Sequence, residues 1–439
     1  MISTRLFLAK FLQNEKSILF VVIASFFYRT AYSLIIANQM SGQDADTYSN
    51  AAQRILIDGP FATETGAPYY AIGYPWFISG IWKIFGVNDY IIGIIQNIFL
   101  AFAIFAFFRA TEKFFARPIA LITLMFLVIN PALTANVSLI AYETPMMSLL
   151  LIGFYFLVKL LEIPNLGKSK FFLNIFLSGV FFTICITLQP KIMLSIFFIV
   201  LVIFKSKKLV ASNFNRCLGL TLIMTVLLIG PSAAILRNYE AGNGIGYSGN
   251  FYRNVELGGA RAGVTFDFSS CPESIFDTPA KTLCVLKSKI SSPVAALKSA
   301  LHNGTYFWTP YIGNLKDMGT WFHGADLRRL IPEYKGYDPS SLWFTIDRVT
   351  GYLWTGMLLL FIILGTRYRF KQNRDLEVVA LFISPVLLLW AVSLISYGES
   401  RYRLPILPFY TVFIAVTLSH LLSWLTRNRR TISHELRNH

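Results

Sequence analysis

Charge is scarce in this chain. Asp, Glu, Lys and Arg make up 14% of its 439 residues and hydrophobic residues 55%, which excludes an ordinary soluble domain, where about a quarter of residues are charged. The signatures of common metal and nucleotide sites are missing too. There is no HExxH, no CxxC and no paired-histidine spacing, so no zinc site is expected, and His302 and His323 stand alone. No P-loop appears and no GxGxxG follows a strand, so nucleotide binding has no support. Of the four cysteines, Cys185 and Cys217 lie in or beside apolar runs, and Cys271 and Cys284 lie in the one long polar segment. Internal repeats, coiled coils and low-complexity tracts are absent. No convincing small-residue cleavage site accompanies the first apolar run, Ile18 to Ile36, which therefore reads as an uncleaved first span.

What is present is a series of apolar runs of membrane-crossing length. The 39 Phe residues against 21 Tyr and 8 Trp fit lipid-facing helices, whereas barrel strands would show short alternating runs. The expected fold is an all-α polytopic membrane protein with about ten transmembrane helices, near 17–37, 90–109, 118–137, 143–161, 171–189, 191–205, 217–236, 349–366, 376–396 and 404–424. A formal charge of +16 could suggest nucleic acid, but the basic residues cluster in every second connection, as the positive-inside rule places them. Both termini are then cytoplasmic. The stretch 72–86, with Pro75, Trp76, Phe77, Trp82 and Lys83, reads as an amphipathic helix in the interface.

Three parts follow: an N-terminal transmembrane region, 1–236, containing a first outer loop, 38–89; an extracytoplasmic segment, 237–348, expected to fold as a small domain; and a C-terminal transmembrane region with a basic tail, 349–439. A Cys271–Cys284 bridge would be plausible in the outer segment, closing a short loop and contributing about 3 kcal/mol; two free thiols are the alternative.

Acids are rare near the apolar runs, which draws attention to Asp44 and Asp46, directly after the first span. One of them could simply cap the helix that carries Tyr48, Ala51, Ala52, Ile55 and Leu56. Alternatively a carboxylate there could accept a proton from a hydroxyl nucleophile, or hold a metal. Glu143 begins the fourth span, where the helix dipole favours an acid, and could also meet a head group. Arg237 beside Asn238, and Arg401 with Arg403, are outer-side cations that run against the positive-inside bias. They could anchor anionic lipid or ligate phosphate. Arg29, inside the first span, has the same two readings. Asn136-Val-Ser138 and Asn303-Gly-Thr305 match glycosylation acceptor triplets, a pattern too common to carry weight.

The series Asp44-x-Asp46-x-Tyr48, Gly73-Tyr74-Pro75-Trp76-Phe77, Phe85-Gly86, Glu143, Gln189-Pro190, Pro231 with Arg237-Asn238, and Glu399-Ser-Arg401-Tyr402-Arg403-Leu-Pro405 resembles the GT-C superfamily of membrane glycosyltransferases. It is most similar to bacterial relatives of the dolichyl-phosphate-mannose protein mannosyltransferases (family 39) and of the lipid A aminoarabinose transferases. The resemblance implies transfer of a sugar from a polyprenyl-phosphate donor to an acceptor hydroxyl at the outer face of a bacterial inner membrane, with inversion. Asp44, four residues before Tyr48, is then the expected base and Asp46 a second acid, while Tyr48, Tyr74, Glu143, Arg237, Asn238, Arg401 and Arg403 are expected to bind substrate. No cofactor is implied beyond the lipid-linked donor, although a divalent metal could assist. Expected partners are that donor, a glycan, lipid or protein acceptor, and membrane lipids, with no nucleic acid. Gly73-Tyr74-Pro75 stands where the aminoarabinose transferases carry a Lys-Pro-Pro-like element, so the phosphate ligand must come from elsewhere: Arg237, Arg401 or Arg403. With no WWD motif and a small outer segment, a single sugar is expected to move. The rival readings are an O-antigen polymerase or ligase, and a lipid-linked sugar transporter or flippase.

Overall fold

In a computed structural model the described residues are 14–36, 43–62, 71–137, 139–161, 167–206, 209, 211–240, 245–248, 250–273, 277–308, 342–373, 376–398 and 400–435. They form helices α1 (Glu15–Ile36), α2 (Gln43–Asp58), α3 (Gly73–Phe85), α4 (Asp89–Thr111), α5 (Arg117–Val128), α6 (Pro131–Val137), α7 (Glu143–Lys159), α8 (Lys168–Leu188), α9 (Met193–Lys205), α10 (Asn213–Glu240), α11 (Asn250–Arg261), α12 (Pro279–Ile290), α13 (Pro293–Trp308), α14 (Leu342–Asn373), α15 (Leu376–Ile395) and α16 (Leu407–Glu435). Short 3-10 turns occupy Pro190–Ile192 and Ser400–Ile406. The described chain is an all-helical, multi-pass membrane protein.

Among the described residues, seven helical stretches are long and apolar enough to cross a bilayer: Glu15–Leu34, Asp89–Thr111, Lys168–Leu188, Asn213–Glu240, Tyr352–Phe370, Leu376–Ile395 and Arg401–Thr426. The three remaining expected spans are shorter. Helix α7 has 17 residues and α9 has 13. The run 118–137 is not one helix, because Pro131 cannot donate to the ladder and disfavours helical backbone at the residue before it. The helix stops at Val128 and a second one starts at Pro131. The stretch 72–86 forms α3, 13 residues long.

The break in 118–137 explains Arg29. A helix ending at apolar depth leaves carbonyls that water cannot reach. The Arg29 side chain is fully buried and donates Nη2–H bonds to the carbonyls of Leu127 (2.6 Å) and Val128 (3.1 Å), the last two residues of α5. It therefore reaches inward to cap a broken helix, and neither of the two roles read from the sequence describes it.

The two ends of the bundle differ. At one end Arg109 pairs with Glu15 (2.6 Å) and Glu112, Arg117 pairs with Glu112 (2.9 Å), and Arg369 donates to the Phe114 carbonyl. The connections that join these residues are the basic ones in the sequence. The opposite end gathers the starts of α2, α4 and α7, the ends of α8 and α15, and the 3-10 turn 400–406. On this end sit α11–α13, where the Asp277 carboxylate caps α11 by accepting from the Phe251 and Tyr252 amides. Cys271 and Cys284 are joined there, with Cα atoms 5.5 Å apart.

Candidate active site

Helix α2 places its two aspartates differently. Ala45, Tyr48, Ala51, Ala52 and Ile55 are buried along one stripe of this helix, and Asp44 lies one turn before Tyr48 on the same side. Residues two apart on a helix point roughly 200° apart. Asp46 accordingly faces outward and is exposed, while Asp44 is half-buried. The spacing that made them look like a pair is the spacing that separates them.

Asp44 Oδ2 lies 2.7 Å from Arg401 Nη1, and Arg401 Nε lies 3.6 Å from Glu143 Oε1. The three groups come from α2, the 3-10 turn before α16, and the first turn of α7. Glu143 is 1% exposed, so its charge depends on neighbouring cations rather than on water. A second cation stands close by: Lys191 Nζ is 4.0 Å from the centroid of the Tyr402 ring, and Arg401 Cζ is 5.4 Å from the same centroid. With both acids ionised, Asp44, Glu143, Arg401 and Lys191 sum to zero charge. The cluster can accept an anionic group on its cations while leaving a carboxylate on the other side.

An aromatic wall supports α2. The Tyr48 ring meets Tyr74 edge-on at 4.9 Å and Tyr142 at 6.3 Å. Tyr74 donates its hydroxyl to Gln96 Oε1 (3.0 Å), and Gln96 Nε2 donates to the carbonyls of Val137 (3.1 Å) and Leu139 (2.9 Å). Burial first and the Glu143 carboxylate second push the Tyr74 hydroxyl well above its ordinary range, so it stays protonated and keeps donating. Its observed work is to fix the wall and the turn that delivers Glu143.

Gly73 sets how closely α3 meets the end of α8. A Cβ there would lie 2.2 Å from the Thr187 backbone oxygen, far inside van der Waals contact. Gly73→Ala is therefore expected to push α3 away and lower stability by about 1–3 kcal/mol, measured by thermal unfolding in detergent. It should also reduce activity by moving Tyr74 and Tyr48.

Arg237 and Arg403 have different described partners. Arg237 is 2% exposed, donating to the Ala62 carbonyl (2.5 Å) and to Asn238 Oδ1 (3.1 Å); Asn238 in turn donates to the carbonyls of Gly246 and Tyr247. Arg403 is 4% exposed and donates to the Phe307 carbonyl at 3.4 Å. Of the three arginines expected near Asp44, the described contacts bring Arg401 to it. Lys191, Tyr402, Tyr142 and Gln96 were not among the site residues expected from the sequence. For Lys191 a signal existed, since a lysine beside Gln189-Pro190 breaks the charge bias as Arg401 does. His302 stacks on Tyr306, while Glu399 and His323 lie outside the described residues. Among the described residues no three His, Cys, Asp or Glu side chains form a group that could hold a metal ion.

Comparison with known proteins agrees with this architecture. The family profile described as dolichyl-phosphate-mannose-protein mannosyltransferase matches residues 69–230, a window containing Tyr74, Glu143 and Lys191 but neither Asp44 nor Arg401. The oligosaccharyltransferase of Archaeoglobus fulgidus in its apo form superposes with a TM-score of 0.51 at 15% identity, covering 94% of this chain and 52% of that one. The fold is GT-C-like. The same archaeal enzyme, AglB, in complex with an inhibitory peptide and a dolichol-phosphate gives a TM-score of 0.50 to this GT-C-like fold at 15% identity, with the same coverage. The chain thus spans about half the length of the oligosaccharyltransferase it matches. ArnT from Cupriavidus metallidurans bound to undecaprenyl phosphate is 11% identical, with a TM-score of 0.41 and coverage of 90% and 77%. No curated protein matches the chain.

Proposed function

We propose that this protein is a polyprenyl-phosphate-dependent glycosyltransferase acting at the outer face of a bacterial inner membrane. The observation that carries the reading is the contact of Asp44 with Arg401, and of Arg401 with Glu143, at the end of the bundle opposite the basic connections. A base, a phosphate-matching cation and a buried acid that orients it meet in one place. The GT-C-like fold and the profile match over 69–230 support the same class.

The chemistry follows from the charges. A lipid phosphate entering the site competes with Asp44 for the Arg401 guanidinium, whose forked donors match phosphate oxygens. Arg401 turned toward phosphate releases the Asp44 carboxylate from its ion pair and leaves it open to the acceptor hydroxyl. The acceptor hydroxyl then attacks the anomeric carbon from the side opposite the phosphate, so configuration inverts. Its proton passes to Asp44 as the carbon–oxygen bond to phosphate breaks. Both electrons of that bond leave with the polyprenyl phosphate, whose charge Arg401 and Lys191 stabilise. Glu143 holds Arg401 through Nε.

Membranes from an expressing strain, assayed with a panel of polyprenyl-phosphate sugars with and without a chelator, test the reading. Transfer of a single sugar to a hydroxyl acceptor is expected, and the chelator arm reports any metal requirement. Wild-type turnover by an Asp44→Asn variant would sink the assignment of the base. Uptake or flipping of the lipid-linked sugar with no glycosidic bond formed would favour a transporter.

A further inference from the structure

Arg401 lies on a short arch of chain between the end of α15 and the start of α16, and one helix of the outer segment grips both feet of that arch. On the α15 side, the Asn303 amide of α13 donates to the Ser396 carbonyl (2.9 Å), and Trp390 Nε1 donates to the Gly304 carbonyl (3.1 Å). Lys289 of α12 adds a bond to the Ile395 carbonyl at 2.5 Å. On the α16 side, Arg403 donates to the carbonyl of Phe307, near the end of α13. Contact at the first foot is backbone to backbone. A Cβ on Gly398 would lie 1.9 Å from the Asn303 carbonyl oxygen, and a Cβ on Gly258 would lie 2.3 Å from the Ser396 oxygen and 2.6 Å from Asn303 Nδ2.

Asn303 is 0% exposed and is thus inaccessible as a glycosylation acceptor, although Asn303-Gly304-Thr305 fits the triplet. Burial makes its amide matter. Without it, the Ser396 carbonyl would be left without that donor next to a segment that carries a charged group, at a cost the chain relieves by shifting. A shift of about 1 Å in Arg401 is enough to spoil a bidentate or ion-pair geometry.

We propose that Asn303 is a positioning residue: by fixing Ser396 and Gly398 against α13, it sets where Arg401 meets Asp44. The outer segment then contributes to phosphate binding without touching phosphate. The part of this inference that concerns lipid binding rests on the proposed glycosyltransferase reading; the part that concerns the position of Arg401 does not.

Two variants test it. Asn303→Ala removes the donor, and the isosteric Asn303→Asp keeps the shape while placing an oxygen against the Ser396 carbonyl. In full-length protein in detergent, the rate of phenylglyoxal modification of Arg401 is read by peptide mass spectrometry, with Arg367, exposed and at the opposite end of the bundle, as internal reference. Undecaprenyl phosphate binding is titrated in parallel. Arg401 is expected to react severalfold faster in both variants while Arg367 keeps its rate. Undecaprenyl phosphate should bind more weakly, and this weakening should vanish in an Arg401→Ala background, which loss of general stability would not produce. Arg401 reacting at the wild-type rate in both variants would overturn the inference. If Arg401 loosens but wild-type protein itself fails to bind undecaprenyl phosphate, the clamp stands and the glycosyltransferase reading falls.

Discussion

Asp44→Asn is expected to lower transfer by about 10²–10⁴-fold, the range in which a positioned general base acts, while the protein stays folded and still binds the donor. Asparagine keeps the size of the side chain and an oxygen that can accept from Arg401 Nη1, now 2.7 Å from Asp44 Oδ2. It cannot take up the acceptor proton. Because Arg401 would no longer be held by a full negative charge, the affinity for polyprenyl phosphate should hold or rise. Single-turnover transfer with a radiolabelled donor, set beside equilibrium binding of the lipid phosphate, separates the two effects. Asp46→Asn is the control: exposed and directed away from the cluster, it should leave both quantities near wild type.

The second large effect belongs to Arg401. Arg401→Ala removes the cation from between two carboxylates, one of them, Glu143, 1% exposed. Breaking a buried pair by removing one member leaves an uncompensated charge and costs about 3–5 kcal/mol. Arg401 is itself 28% exposed on its side chain, so the lower end, about 3 kcal/mol, is expected. Lipid phosphate binding should fall with it. Adding Glu143→Gln should recover much of the lost stability, because the stranded charge is gone, yet leave lipid binding weak. If the double variant binds donor as wild type does, Arg401 is a structural ion-pair partner only. Arg401→Lys should keep part of the charge effect and lose the forked geometry.

The site was legible in unequal measure. Asp44 stood out because acids are rare beside apolar runs and because its distance from Tyr48 fits the family resemblance. Separating it from Asp46 needed only the helical period, which becomes decisive once Tyr48 and Ala52 are known to be buried. Glu143 was visible as a helix-starting acid, but a helix N-terminus explains an acid without any site. Tyr74 carried no signal for its partner Gln96, 22 residues away on another helix. Arg237, Arg401 and Arg403 were equivalent in sequence, each an outer arginine near a span end. Their fates differ because Arg237 and Arg403 meet the backbone carbonyls of Ala62 and Phe307, whereas the described partners of Arg401 are the carboxylates of Asp44 and Glu143.

The sequence alone determined the class of the molecule and its two-sidedness. Apolar runs of crossing length must become helices, since in lipid each backbone group has to be satisfied within its own segment, and the alternation of basic connections assigns the ends. It also determined which residue types are available at the opposite end: a few acids, several arginines, many aromatics. What the tertiary structure decided is which of these meet. Asp44 and Arg401 are separated by 357 residues, and Arg29 finds the end of a helix 98 residues on. Contacts at such separation depend on the order and tilt in which helices pack, on close approaches at Gly73 and Gly398, and on the break at Pro131. Local periodicity carries none of that, because it fixes which face of each helix is buried and not which neighbour buries it.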